Sequence, residues 1–144
     1  MMAGQVKNRS AQEALEKAQK FCAYQERCFE DVRKKLFQWH VDAGGHDQIL
    51  QQLEKENLIS NDRYTALFVR SKINQNRWGR QKIKTALLGK MIPETLIDKH
   101  LQKIGNEKYL NNLKTLKNKK LNELTEKDPY KREIKLKNYL FGKG

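Results

Sequence analysis

A short pattern returns three times along this chain: Val32-Arg33-Lys34-Lys35-Leu36-Phe37, Ile83-Lys84-Thr85-Ala86-Leu87-Leu88 and Leu136-Lys137-Asn138-Tyr139-Leu140-Phe141. Its first apolar position recurs after 51 and then 53 residues. That period belongs to stacked repeats rather than to one closed catalytic core. Within each copy the apolar residues stand at i, i+4 and i+5, and a cation follows the first of them. This is the pattern of a helix whose cation stands off the buried stripe. Arg33, Lys84 and Lys137 are then either a row along one side of the stack or ordinary solvated charges on amphipathic helices. In either case function is expected on an outer surface.

The rest of the chain agrees with helix. Lys, Leu, Glu, Gln and Asn dominate, only two prolines occur, and no alternating strand pattern of useful length is present. Ser10-Ala11-Gln12-Glu13 has the spacing of a capping box, which places a first helix at 10–24 with Ala11, Leu15, Ala18 and Cys22 inward. Further helices are expected at 29–39, 46–56, 61–75, 80–88, 93–104, 107–124 and 130–141. Gly44-Gly45 is read as the break before the third, Asn61 as the N-cap of the fourth and Gly89 as the end of the fifth. The fourth carries Tyr64, Leu67, Phe68 and Ser71 at helical spacing. The apolar set of the seventh is Tyr109, Leu110, Leu113, Leu116, Leu121 and Leu124.

The fold expected is all-α, an elongated, curved array of tandem three-helix repeats built as helix-turn-helix-like modules, with the third repeat incomplete. Its parts are an N-terminal extension at 1–9, a first repeat at 10–60, a second at 61–105 and a partial third at 106–144. A counterpart of the 93–104 helix would fall beyond residue 144, so Leu136, Tyr139 and Leu140 are expected to be poorly covered.

Charge is distributed unevenly. Residues 1–60 carry 9 Lys+Arg and 9 Asp+Glu, whereas residues 61–144 carry 21 against 8, so the net +13 lies entirely in the second part. A field of that sign attracts polyanions, nucleic acid and acidic protein surfaces being the two obvious kinds. Catalysis is not expected. His40, His46 and His100 are scattered without metal-ligand spacing, each reading as a surface residue, and Walker-type and Gly-x-Ser-x-Gly loops are absent. No metal or cofactor is expected. Cys22 and Cys28 match neither a zinc site nor a redox Cys-x-x-Cys, so they read as reduced thiols in a cytoplasmic protein. No stretch is long or apolar enough to span a bilayer, and no membrane role is expected.

An ordered set of motifs resembles the RecX family of bacterial recombination regulators. It comprises Leu58-Ile59-Ser60-Asn61-Asp62-Arg63-Tyr64-Thr65-Ala66-Leu67-Phe68-Val69, Trp78-Gly79-Arg80-Gln81-Lys82-Ile83, Leu87 and Gly89-Lys90-Met91-Ile92-Pro93. Upstream, Tyr24-Gln25-Glu26-Arg27-Cys28 and Val32-Arg33-Lys34-Lys35-Leu36 resemble the family's first repeat, and Tyr139-Leu140-Phe141-Gly142-Lys143-Gly144 the start of its third. Four positions depart from the family's pattern in ways that bear on stability, Asn61 standing where Asp is often found. Cys28 stands where a capping Ser is usual, so the second helix is expected to fray. Thr65 stands where Ala is preferred, and Met91 where a turn Gly is usual.

The resemblance implies a non-enzymatic regulator that lies in the groove of RecA filaments on single-stranded DNA. There it slows filament growth or promotes disassembly, and so reduces ATP hydrolysis and strand exchange. The implied partner is the RecA filament, with weak direct DNA binding in addition, and the chain is expected to act as a monomer. The residues expected to make these contacts are Arg33, Lys34, Lys72, Arg77, Trp78, Arg80, Lys82, Lys84 and Lys137. Arg77 to Lys84 packs four cations around one aromatic ring at a helix start, a set able to grip phosphate or carboxylate. Trp78 can equally be core beneath the Gly79 turn. A stand-alone basic nucleic-acid-binding protein and a purely structural repeat scaffold are the alternatives.

Overall fold

The computed structural model describes the backbone of residues 2–144 and side chains from residue 11 onward. Among these residues eight helices follow one another with no strand: α1 (Met2–Tyr24), α2 (Phe29–Gln38), α3 (Ala43–Lys55), α4 (Asn61–Asn74), α5 (Arg80–Gly89), α6 (Glu94–Gln102), α7 (Asn106–Glu123) and α8 (Pro129–Gly142). The α1 backbone starts at Met2 rather than at Ser10, whose capping side chain lies outside the described residues. The chain divides into two compact units, Met1–Tyr64 and Thr65–Gly144.

In the first unit, Val32 and Leu36 of α2 are fully buried among Ala14, Ala18 and Cys22 of α1 and Ile49, Leu50 and Leu53 of α3. The buried face of α1 is turned from the expected one: Ala14 replaces Ala11, which is exposed, and Leu15 is half-buried. Burial pushes the Cys22 thiol up to about 11, as for a small apolar core residue. The α2 helix does not depend on a hydroxyl cap. Cys28 and Asp31 form a capping box, and the Phe29 amide donates to Asn61 Oδ1 at 3.1 Å. Two acceptors therefore hold the end where fraying was expected. Asn61 is thus committed to α2, and the cap of α4 is Ser60, whose Oγ accepts from the Arg63 amide at 3.2 Å.

The chain reverses between α2 and α3 at His40 (φ 59°), where Val41 N–H donates to the Leu36 carbonyl at 2.9 Å. A left-handed residue with this closing bond is sufficient to end a helix. Gly44-Gly45 is therefore no break; both residues lie in the first turn of α3.

The second unit repeats this arrangement at an unbroken offset of 51 residues. Ala14, Ala18 and Cys22 correspond to Thr65, Val69 and Ile73, and Val32 and Leu36 to Ile83 and Leu87, all of them buried. The inner face of α4 is therefore the β-branched stripe, and the expected Tyr64, Leu67, Phe68 and Ser71 lie to its side, Leu67 being exposed. The turn repeats as well: Met91 takes the place of His40 at φ 60°, and Ile92 N–H donates to the Leu87 carbonyl at 3.3 Å. Gly89 stays inside α5, so the left-handed position falls on a residue with a Cβ.

Two of the three histidines are core residues rather than surface ones. His46 is buried with Nε2 2.9 Å from the Val41 carbonyl and its ring edge-on to Phe37, and His100 is buried in α6. On α7 the buried residues are Asn112 and Leu116, whereas Leu110 and Leu113, expected inside, are exposed. Asn112 Nδ2 donates to the Ile73 carbonyl at 3.1 Å, satisfying one of the orphan acceptors at the end of α4. Asp128 caps α8 by accepting from the Tyr130 and Lys131 amides. Arg132 donates to the Leu121 and Leu124 carbonyls at the end of α7. No α8 residue is fully buried; Leu136, Tyr139 and Leu140 are half-covered and Phe141 is 85% exposed.

Two substitutions test this description. The buried Thr65 hydroxyl has no hydrogen-bond partner, so Thr65→Val keeps the shape, removes the orphaned group and raises unfolding free energy by about 1 kcal/mol. Met91→Gly relieves the left-handed turn and stabilises by about 1 kcal/mol. Urea denaturation measures both, and a lower midpoint for either variant contradicts the local geometry.

Candidate functional site

The periodic cations are internal to their repeats. Arg33 on α2 pairs with Asp47 on α3 at 3.0 Å, and Lys84 on α5 pairs with Asp98 on α6 at 3.0 Å and Glu94 at 2.8 Å. Arg33 and Lys84, like Asp47 and Asp98, are 51 residues apart, so one ion pair has been built twice to fasten a second helix to a third. Its two hydrogen bonds hold the Lys84 ammonium above the ordinary lysine value. Lys137 pairs with Glu133 one turn earlier on α8 at 3.4 Å. The row expected from Arg33, Lys84 and Lys137 is therefore three compensated pairs, and ordinary solvated faces describe it better.

The other expected residues of the second unit gather around the α4–α5 turn. The Trp78 ring is half-buried and edge-on to Phe68, with centroids 6.3 Å apart. The Lys72 and Lys82 ammoniums stand 4.7 and 4.6 Å from its centroid. Lys82 also donates to the Gly142 carbonyl at 2.7 Å, and Gly79 N–H donates to the Lys143 carbonyl at 2.7 Å, so the last carbonyls of α8 meet the start of α5. Arg80 lies 4.2 Å over the Tyr109 ring and donates to the Ile104 carbonyl and Asn106 Oδ1. Burial pushes the Tyr109 phenol up from its ordinary value, while the neighbouring guanidinium pulls it down.

Lys72, Trp78, Arg80 and Lys82 are thus brought together, but largely to hold one another. Arg77, half-buried at φ 54°, has no acidic partner among the described residues. Lys34 is exposed on α2 in the first unit. None of the expected contact residues lies on α7, where Lys108, Lys114, Lys117 and Lys119 are all exposed and no acidic partner is found for them among the described residues. The signal was available: α7 contains five lysines and two acids, both at its ends.

Among the described residues no group of three His, Cys, Asp or Glu could hold a metal, and no helix is long and apolar enough to cross a membrane. Residues 60–101 match the family model for the second three-helix domain of RecX. Regulatory protein RecX of Clostridium beijerinckii is 34% identical over 116 residues, 79% of this chain and 54% of that protein. The Clostridium acetobutylicum protein of the same name is 30% identical over 118 residues, again 79% and 54%. A crystal structure of a regulatory protein RecX superposes with a TM-score of 0.90 at 27% identity, covering 99% of this chain and 72% of that one. The chain is similar to RecX proteins over most of its length. It spans about half the length of the curated RecX proteins it matches.

The Arg80–Tyr109 contact has a spectroscopic signature. Arg80→Met keeps an apolar cover over the ring but removes the positive charge, so Tyr109 ionises at higher pH than in the parent. The tyrosinate ultraviolet absorbance reads that shift, and a downward one would contradict the stack.

Proposed function

We propose that this chain regulates RecA by binding its filament on single-stranded DNA and limiting filament growth, ATP hydrolysis and strand exchange. What supports this reading beyond the similarity to RecX proteins is the charge of α7. Lys108, Lys114, Lys117 and Lys119 project into solvent without acidic partners among the described residues, whereas Arg33, Lys84 and Lys137 are paired within their own repeats. Free lysines retain their long-range attraction for a negative surface. The contacting surface is therefore α7 together with Arg77, while Lys72, Arg80 and Lys82 shape the α4–α5 turn beside it.

The test is a titration of RecA's DNA-stimulated ATPase. The chain suppresses hydrolysis at less than one copy per RecA. Replacing Lys114 and Lys117 together with Glu raises the half-suppressing concentration about tenfold or more, a loss of roughly 1.4 kcal/mol. Arg33→Gln and Lys84→Gln leave it nearly unchanged. Full hydrolysis at equimolar protein rejects the proposal. Tight, steeply salt-dependent association with DNA alone, at the concentrations that suppress hydrolysis, favours a stand-alone nucleic-acid binder.

A further inference from the structure

A cavity of about 350 Å³ opens in the second unit between the start of α5, the face of α7 and the end of α8. Its apolar lining is made by Leu110, Leu113, Leu116 and Leu140, beside the Trp78 and Tyr109 rings. Leu110 and Leu113 are 56% and 45% exposed, a large apolar surface for two neighbouring residues on a helix whose core contacts are made by Asn112 and Leu116. Arg77, Arg80 and Lys143 stand at the rim, and neither Asp nor Glu lines the cavity. An apolar slot whose charged lining residues are all cations suits an apolar group attached to negative charge.

Two classes of polyanion could supply that charge, and the aromatic residues separate them. Nucleobases bind by stacking on open ring faces. Here Lys72 and Lys82 stand over Trp78 and Arg80 lies over Tyr109, so the rings already hold cations. What remains open is aliphatic. We infer that this cavity receives a leucine- or phenylalanine-sized side chain carried on an acidic segment of the partner protein, the leucines taking the anchor and the rim cations its flanking carboxylates. This rests on the reading of the chain as a RecA regulator and names the kind of RecA surface engaged.

The ATPase titration is repeated with Leu110→Glu and Leu113→Glu, both at exposed helical positions, with circular dichroism confirming that each stays helical. Each raises the half-suppressing concentration about thirtyfold, in the range of a buried anchor, whereas Leu113→Met shifts it less than about twofold. Suppression equal to the parent's in both Glu variants overturns the cavity while leaving the regulatory reading intact. A parent protein that does not suppress removes the regulatory reading, and the cavity is then decided by a direct probe. In a Trp39→Phe background Trp78 is the only tryptophan, and its emission is followed on adding an oligo-Asp/Glu peptide with one central Phe. A response that disappears when that Phe is Ala, or when Leu113 is Glu, supports the cavity. An equal response to both peptides, or a matching response to oligodeoxythymidine, overturns it. So does self-association of the parent that Leu113→Glu abolishes, which would assign the surface to a second copy.

Discussion

The i, i+4 apolar pair on the second helix of each repeat is the contact on which the rest depends. Val32 with Leu36, and Ile83 with Leu87, are fully enclosed. A short helix has little stability of its own, and its order comes from packing one face against neighbours. Once that face is committed, the residue after the first apolar position must point along the side of the repeat toward the third helix. This is why Arg33 and Lys84 find Asp47 and Asp98. The periodic cation is a consequence of the periodic core, and its charge is spent within the module.

Much of this was legible in the sequence. The helix order and the tandem repeat follow from apolar spacing, because such signals act over a few residues. The inner face of α4 was not legible in the same way. Tyr64, Leu67 and Phe68 are larger and more apolar than Thr65, but three helices meet closely only where side chains are compact, and the buried face is Thr65, Val69 and Ile73. The Gly44-Gly45 reading failed because a helix can end on any residue that tolerates the left-handed region when two closing hydrogen bonds reward it, and His40 does so. Glycine in a helical first turn loses little by comparison.

The candidate site divides along the same line. Arg77, Trp78 and Arg80 were legible as a cluster, since they are adjacent in the chain. Their partners Tyr109, Asn106 and the α8 carbonyls come from elsewhere and turn several apparent contact residues into supports. Asn112 shows the limit most clearly. A polar residue on the buried stripe of α7 contradicts the hydrophobic pattern until the Ile73 carbonyl is placed beside it. Free charge, by contrast, is a property of what is missing nearby, and only coordinates reveal which lysines lack an acid.

Asn61 carries a consequence for where this protein can be divided. It is the first residue of α4, yet its side chain completes the start of α2, and the first compact unit accordingly runs through Tyr64. The seam between repeats in the sequence and the seam between folded bodies are therefore a few residues apart. A fragment ending at the repeat's own border would leave the Phe29 amide without its acceptor. The first module is sealed by the opening residue of its successor, so its folded border lies inside the following repeat.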